Sequence, residues 1–225
     1  MRKAKIVTAL ILGPLITMAQ SEDVTEIAIY RIFNEENKDF ENLLINFRNQ
    51  LSALTGLDSY TTLKDLHIPN VYIDIVNWND IHLALAASDS VKFQEKYKPF
   101  TLAIDSLLAY GEYYQFKQFS NFKSQTNMTN NITEVVIYKI KSDKISDYND
   151  IAENTNRFLM TQKGFIGRKI LQDHKDKSIF LDFVEWETLA DAEATMEKSQ
   201  QEVTLIPFFE STEKVITFSH YTFFK

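Results

Sequence analysis

The feature that most constrains this chain is that it is written twice. Shifted by about 108 residues, Val24 to Lys117 lies on Ile132 to Lys225 without a gap, and roughly 21 of about 94 positions are identical. Thr25-Glu26-Ile27-Ala28-Ile29-Tyr30 faces Thr133-Glu134-Val135-Val136-Ile137-Tyr138, and Asp74-Ile75-Val76-Asn77-Trp78 faces Asp182-Phe183-Val184-Glu185-Trp186. Gly56 falls on Gly164, Pro99-Phe100 on Pro207-Phe208, and Tyr113 and Phe116-Lys117 on Tyr221 and Phe224-Lys225. Both Trp residues and a Pro pair match at one offset. Solenoid repeats are shorter and more numerous, so two units of this length imply a tandem of domains, 24–117 and 132–225. The stretch 118–131 is rich in Asn, Ser, Thr and Gln and is expected to be a linker.

Each unit reads in the order β-α-β-β-α-β. A strand over Val24–Ile32 precedes a segment, Lys38–Leu54, in which Phe40, Leu43, Leu44, Phe47, Leu51 and Leu54 recur at helical spacing. Gly56 and Gly164 stand where a helix C′ residue would. A hairpin follows, Leu57–Lys64 and Val71–Asn77, with Pro69-Asn70 at its turn; Phe165–Gln172 and Ile179–Glu185 are its counterpart. Asp80 and Thr188 are placed to cap a second helix, which Pro99 or Pro207 is expected to break or kink. A last strand spans Tyr110–Lys117 or Ile216–Lys225. The fold class expected is α+β, two ferredoxin-like βαββαβ repeats.

Strand composition says how the units meet. Ile27, Ala28, Ile29 and Ile32 are apolar on both faces, as are Ile73, Ile75 and Val76, which is the signature of strands covered on both sides. Helices cover one face of a ferredoxin-like sheet. The other face needs a partner, and the second unit is the nearest one.

Residues 1–19 read as an address. Arg2, Lys3 and Lys5 form a basic region, Ile6 to Ile16 a short apolar stretch broken by Gly13-Pro14, and Thr17-Met18-Ala19 a cleavage signal before Gln20. A lone membrane anchor is the competing reading, but the run is short for a bilayer. The expectation is an exported protein, periplasmic or extracellular, with no integral membrane segment after cleavage. With about 21 Lys and Arg left against 31 Asp and Glu, the mature chain has no cationic excess, so nucleic acid is not an expected partner. There is no Cys, which excludes thiolate metal sites, disulfides, thiol catalysis and a lipidated N-terminus. No HExxH, glycine-rich phosphate loop or nucleophile elbow occurs, and no metal site is expected.

The stretch Phe183-Val184-Glu185-Trp186-Glu187-Thr188-Leu189-Ala190-Asp191-Ala192 resembles the strand-to-helix signature of antibiotic biosynthesis monooxygenase (ABM-like) domains. Ser90-Val91-Lys92-Phe93 through Pro99-Phe100 and Leu107-Leu108 resembles the later part of the same pattern. Those domains belong to the dimeric α+β barrel superfamily. The resemblance implies that the two units pair their antiparallel sheets into an intramolecular barrel, a pseudo-dimer, with a further homodimer left open. It also implies cofactor-independent oxidation of polycyclic phenols or quinols as a possible activity. The haem-degrading branch carries a His about ten residues after the Trp; Ala87-Ser88 and Thr195-Met196 stand there. The phenol-oxidising branch has an amide about four residues before the Trp, with Tyr and Arg nearby. Asp74 and Asp182 occupy that place here, and no Arg can be matched.

Candidate site residues follow from these positions. Trp78 and Trp186 share a strand face with Asp74 and Asp182, because side chains an even count apart align. Each Trp either stacks a flat ligand or plugs the junction of sheet and helix. Each Asp either lines a pocket as a general base or faces the barrel interior, paired with Arg31 or Lys139, water or its own copy. Tyr30 and Tyr138 recur mid-strand with a hydroxyl for a ligand. His67 and His174 lie in hairpin loops and His82 opens a helix; only His220, on the last strand where the first unit has Glu112, is placed to look into a core or pocket. Asp182, Trp186 and His220 are therefore the catalytic candidates, and Tyr138, Trp78, Asp74 and Tyr30 the ligand-binding ones. The second unit is favoured for activity. Three functions compete: a small flat apolar or phenolic ligand oxidised without a cofactor, the same ligand merely carried, or an interaction module whose pockets are filled by its own Phe residues. A ring-sized cavity beside Trp186 and Asp182 would eliminate the third.

Overall fold

A computed structural model describes residues 23–33, 39–119 and 131–224. The expected signal peptide, most of the expected linker and Lys225 lie outside the described residues. The elements run β1 (Val24–Ile32), α1 (Phe40–Leu51), β2 (Leu57–Asp65), β3 (Val71–Trp78), α2 (Ile81–Phe93), a short α3 (Lys98–Thr101) and β4 (Ile104–Gln118). They continue with β5 (Ile132–Ile140), α4 (Tyr148–Leu159), β6 (Phe165–Asp173), β7 (Ile179–Trp186), α5 (Leu189–Ser199), a short α6 (Ile206–Ser211) and β8 (Thr212–Phe223). Among the described residues no helix is long and apolar enough to cross a membrane.

The eight strands form one antiparallel sheet closed into a barrel in the order β1-β3-β2-β8-β5-β7-β6-β4. The two halves are stitched at two seams, β2 to β8 through Leu63–Asp65 and β4 to β6 through Tyr113–Gln118. Closure gives each strand a neighbour on both sides, though β2 and β8 meet only through Leu63–Asp65. It also explains the strands that are apolar on both faces. Ile27, Ile29, Ile73, Ile75, Val135, Ile137, Leu181 and Phe183 fill the barrel interior with Tyr113 and Tyr221. Their even-numbered neighbours turn outward: Tyr30, Ile32 and Tyr72 meet α1, and Tyr138, Ile140 and Phe180 meet α4. The helices thus cover the barrel from outside, and each half has a cleft between helices and sheet.

Local signals explain most boundaries. Asp80 accepts from the His82 and Leu83 amides and Thr188 from the Asp191 amide, so both caps form as expected. Two expectations need correction. Gly56 and Gly164 are not C′ residues: α1 ends at Leu51 with Ser52 as its cap, and α4 at Leu159 with Met160. The glycines sit later, in the turn into the next strand, at φ +87 and +74. A Cβ on Gly164 would also stand 2.6 Å from Asp191 Oδ2, so the position needs glycine twice over. Pro99 and Pro207 do not break the second helices, which end earlier at Phe93 and Ser199; each lies in the first turn of a separate short helix, where its missing N–H costs nothing. Those short helices then feed β4 and β8, which begin before the expected Tyr110 and Ile216.

Candidate functional site

In the second half, β5, β7 and β8 form the floor of a cleft and α4, α5 and α6 its roof. Between them lies a cavity of about 340 Å³ walled by Val136, Phe158, Trp186, Met196, Phe208 and Phe218, with Glu134, Thr155 and Asp182 among its polar groups. This volume is within the range of small-molecule sites. The equivalent cleft in the first half holds only about 170 Å³. One matched pair of lining residues differs strongly in bulk. Phe47 on α1 stacks on Phe100 at 4.0 Å between ring centres and fills that cleft. Thr155 stands at the matching position on α4, and Phe208, the match of Phe100, is left facing open space.

Asp182 lies on the outer, helix-facing side of β7, with Trp186, as the even spacing requires; neither Asp faces the barrel interior. Its partner is not among those expected, Arg31 or Lys139. Arg168 on β6 reaches it from the next strand, with Nε and Nη2 at 3.0 and 2.5 Å from Oδ2, and gives Nη1 to the Ala152 carbonyl of α4. The sequence offered no Arg to match that of the phenol-oxidising branch; the structure sets Arg168 beside Asp182. Oδ1 accepts from the Tyr138 hydroxyl at 3.0 Å, and Tyr138 is in turn bonded to the Tyr148 hydroxyl on α4. All four groups are buried. Burial pushes the Asp182 carboxyl up and the guanidinium opposes it. Burial works to lower Arg168, but Asp182 outweighs it and holds the guanidinium charged. Burial first, and then Asp182, raises both tyrosines. With a guanidinium on Oδ2 and a hydroxyl on Oδ1, Asp182 is a neutralised end to the cavity and a weak base.

Trp186 lines the cavity, is 1% exposed, and its Nε1 has no hydrogen-bond partner among the described residues. A buried indole N–H in that state is an unused donor. The first half shows the bonded alternative. There Trp78 Nε1 donates to Glu26 at 3.0 Å. Glu134, the match of Glu26, turns instead to His220, whose Nε2 lies 3.2 Å from Oε2. His220 is buried on β8 but does not line the cavity; it meets two residues that do, Glu134 and Phe218. Its Nδ1 lies 3.1 Å from Nε2 of His67, in the exposed turn after β2.

Tyr30, Asp74 and Trp78 come together at the smaller cleft. Asp74 accepts from Thr62 Oγ1 at 2.5 Å, with the Tyr30 and Tyr60 hydroxyls close by and Arg48 further off. Burial raises its carboxyl to about 6, the hydroxyls pulling the other way. Burial likewise raises Glu26 to about 7, against the Trp78 bond and with Glu112 adding to it. A carboxyl that holds its proton more tightly when folded lowers stability as pH climbs from its ordinary 4.5 toward that value. Glu26→Gln keeps an acceptor for Trp78 and removes the titration. It is expected to be more stable than the parent by about 1–3 kcal/mol near pH 8 and little different near pH 4, as urea unfolding would report.

Sequence reasoning missed Arg168, Tyr148 and Glu134. The signals were present but weak. Arg168 has the parity to share Asp182's face only once the β6–β7 register is known, which sets it opposite Val184. Glu134 lies in a well-matched strand, where the sequence alone gives no sign that it meets a cavity.

No protein-family model and no curated protein matches this chain. Its likeness to solved structures is nearly full-length. An anthrone oxidase-like protein superposes with a TM-score of 0.73 at 10% identity, over 92% of this chain and 93% of the other. A candidate monooxygenase from Fusobacterium nucleatum subsp. nucleatum gives 0.62 at 11% identity, over 91% and 94%. A mutant chlorite dismutase from Candidatus Nitrospira defluvii gives 0.64 at 10% identity, over 91% and 92%. At such identities the likeness is one of fold. The mixed α+β barrel expected from the sequence stands at that level.

Proposed function

We propose that this is an exported protein built from a tandem of ferredoxin-like, ABM-like units, which binds a small, flat, apolar or phenolic ligand in its second half. The observation that carries the reading is the cavity of about 340 Å³ with an unpartnered Trp186 N–H in its wall. Flat aromatic walls favour a ring system, and the indole donor favours one bearing an oxygen acceptor or hydroxyl. The offset of about 108 residues supports the tandem, and the basic and apolar N-terminal segment supports export. The cavity speaks against a module whose clefts are filled by its own side chains. Oxidation of the ligand by dioxygen without a cofactor is the catalytic form of the proposal, in keeping with the names of two structural neighbours. Carriage without turnover is the second reading, favoured by the locked state of Asp182.

Trp fluorescence titrated with quinones, polyphenols, flavin and haem tests the binding. Saturable quenching that disappears in Trp186→Phe is the expected result; quenching unchanged in that variant, or none with any compound, would refute it. Oxygen uptake with a compound that binds then separates catalyst from carrier, since Asp182→Asn should lower it only in a catalyst.

A further inference from the structure

Three titratable side chains lie in line from the second cavity to the surface. Glu134 lines the cavity, His220 is buried behind it at 3.2 Å, and His67 stands 3.1 Å further on in an exposed turn. The line crosses a seam between the halves, because His67 follows β2 while His220 is on β8. It is anchored on both sides: the Leu66 amide donates to the His220 carbonyl, and Asp65 Oδ1 holds the His67 and Ile68 amides. The Phe218 ring packs edge-on against His220, leaving each imidazole nitrogen one partner.

The first half has the same three stations with different chemistry. Glu26, Glu112 and Lys175 match Glu134, His220 and His67 at the offset of about 108 residues. There Glu112 is paired with Lys175 at 3.1 Å, and Glu26 is spent on Trp78. A lysine–carboxylate pair holds a fixed charge and passes nothing on. Two imidazoles in a row can each take a proton on one nitrogen and give one from the other. The exchange of a salt bridge for a histidine pair, together with the release of Trp186 from its glutamate, sets the second half apart.

We infer that Glu134, His220 and His67 form a proton path, and that the cavity's ligand is an acidic hydroxyl compound, a phenol or enol, held as its anion. This rests on the ligand site proposed above. A hydroxyl in the cavity gives its proton to Glu134. His220, as the imidazolium, passes its Nδ1 proton to His67 Nε2, and His67 releases one to solvent. The ligand is left as an anion within reach of the free Trp186 N–H. Glu134 is then the neutral acid, His220 neutral with Nε2–H still donated to it, and one proton has left the protein. Arg168 already neutralises Asp182, so the cavity does not repel the anion with a bare carboxylate. Glu134 thus takes the role of base that a neutralised Asp182 fills only weakly.

4-Nitrophenol tests this, because its phenolate is coloured and it is mostly neutral in water at about pH 6. 4-Nitroanisole has the same ring and no proton to lose, so its binding reports the cavity alone. Weakly buffered protein with a pH indicator should release up to about one proton per 4-nitrophenol bound, with the phenolate colour, and none with 4-nitroanisole. Glu134→Gln should still bind 4-nitroanisole but lose the release and the colour. His67→Gln, a change in an exposed turn, should bind 4-nitrophenol and release the proton at least about tenfold more slowly in stopped flow. Binding of 4-nitrophenol as the neutral phenol, or release untouched by both substitutions, would overturn the path and leave the cavity reading intact. Failure of both compounds to bind would overturn the cavity reading and the path with it.

Discussion

Arg168→Met is expected to destabilise the protein by about 3–5 kcal/mol, the largest loss from any single polar substitution in this chain. The methionine fills similar space, so the loss is electrostatic. It leaves the Asp182 carboxylate buried against β7 with only the Tyr138 hydroxyl for company, and it frees the Ala152 carbonyl of α4. The carboxyl would then take up a proton, and stability would fall as pH rises through its raised value. Asp182→Asn in the Arg168→Met background should recover part of the loss, because a neutral amide needs no counter-charge. Urea unfolding of the parent, the single variant and the double variant measures this. A loss below about 1 kcal/mol for Arg168→Met would mean that the guanidinium is not what neutralises Asp182.

Thr155→Phe is expected to close the second cavity. The first half shows the outcome in place: Phe47 at the matching position lies flat on Phe100. A phenylalanine at 155 would find Phe208 in the same relation and fill the space a ligand needs. Affinity for any compound that quenches Trp186 should fall at least tenfold, about 1.4 kcal/mol or more. Stability should hold or rise, since an apolar ring enters an apolar cavity at the expense of one hydroxyl bonded to its own helix. Calorimetric titration together with thermal unfolding separates the two effects. Undiminished affinity in a folded variant would place the ligand elsewhere.

The difference between the halves shows what one sequence can and cannot declare. Trp78 and Trp186, Asp74 and Asp182, Tyr30 and Tyr138 are matched residues; strand parity brings each Asp and Trp to one face, and the β1–β3 and β5–β7 registers add the Tyr. Their states differ because of neighbours that the match does not keep. Tyr60 stands where the second half has Arg168, so Asp74 meets hydroxyls and rises to about 6, while Asp182 meets a guanidinium. Glu112 stands where the second half has His220, so Glu26 and Glu134 face opposite kinds of group. The identities were in plain view; the contacts were not, because each joins strands that are far apart in the chain.

What the sequence by itself determined was local or periodic. Strand faces follow from a period of two, helix starts from Asp80 and Thr188, and the need for a second cover on each sheet from strands apolar on both sides. These depend on residues within a few positions of one another, where covalent geometry sets direction. Which residues close the barrel, where Arg168 reaches, how large each cavity is and how Glu134 comes to meet His220 depended on register at pairings such as β6–β7 and β5–β8, and on seams such as β2–β8. Register is chosen by the packing of the whole barrel. A shift of one residue would turn each of these side chains to the other face.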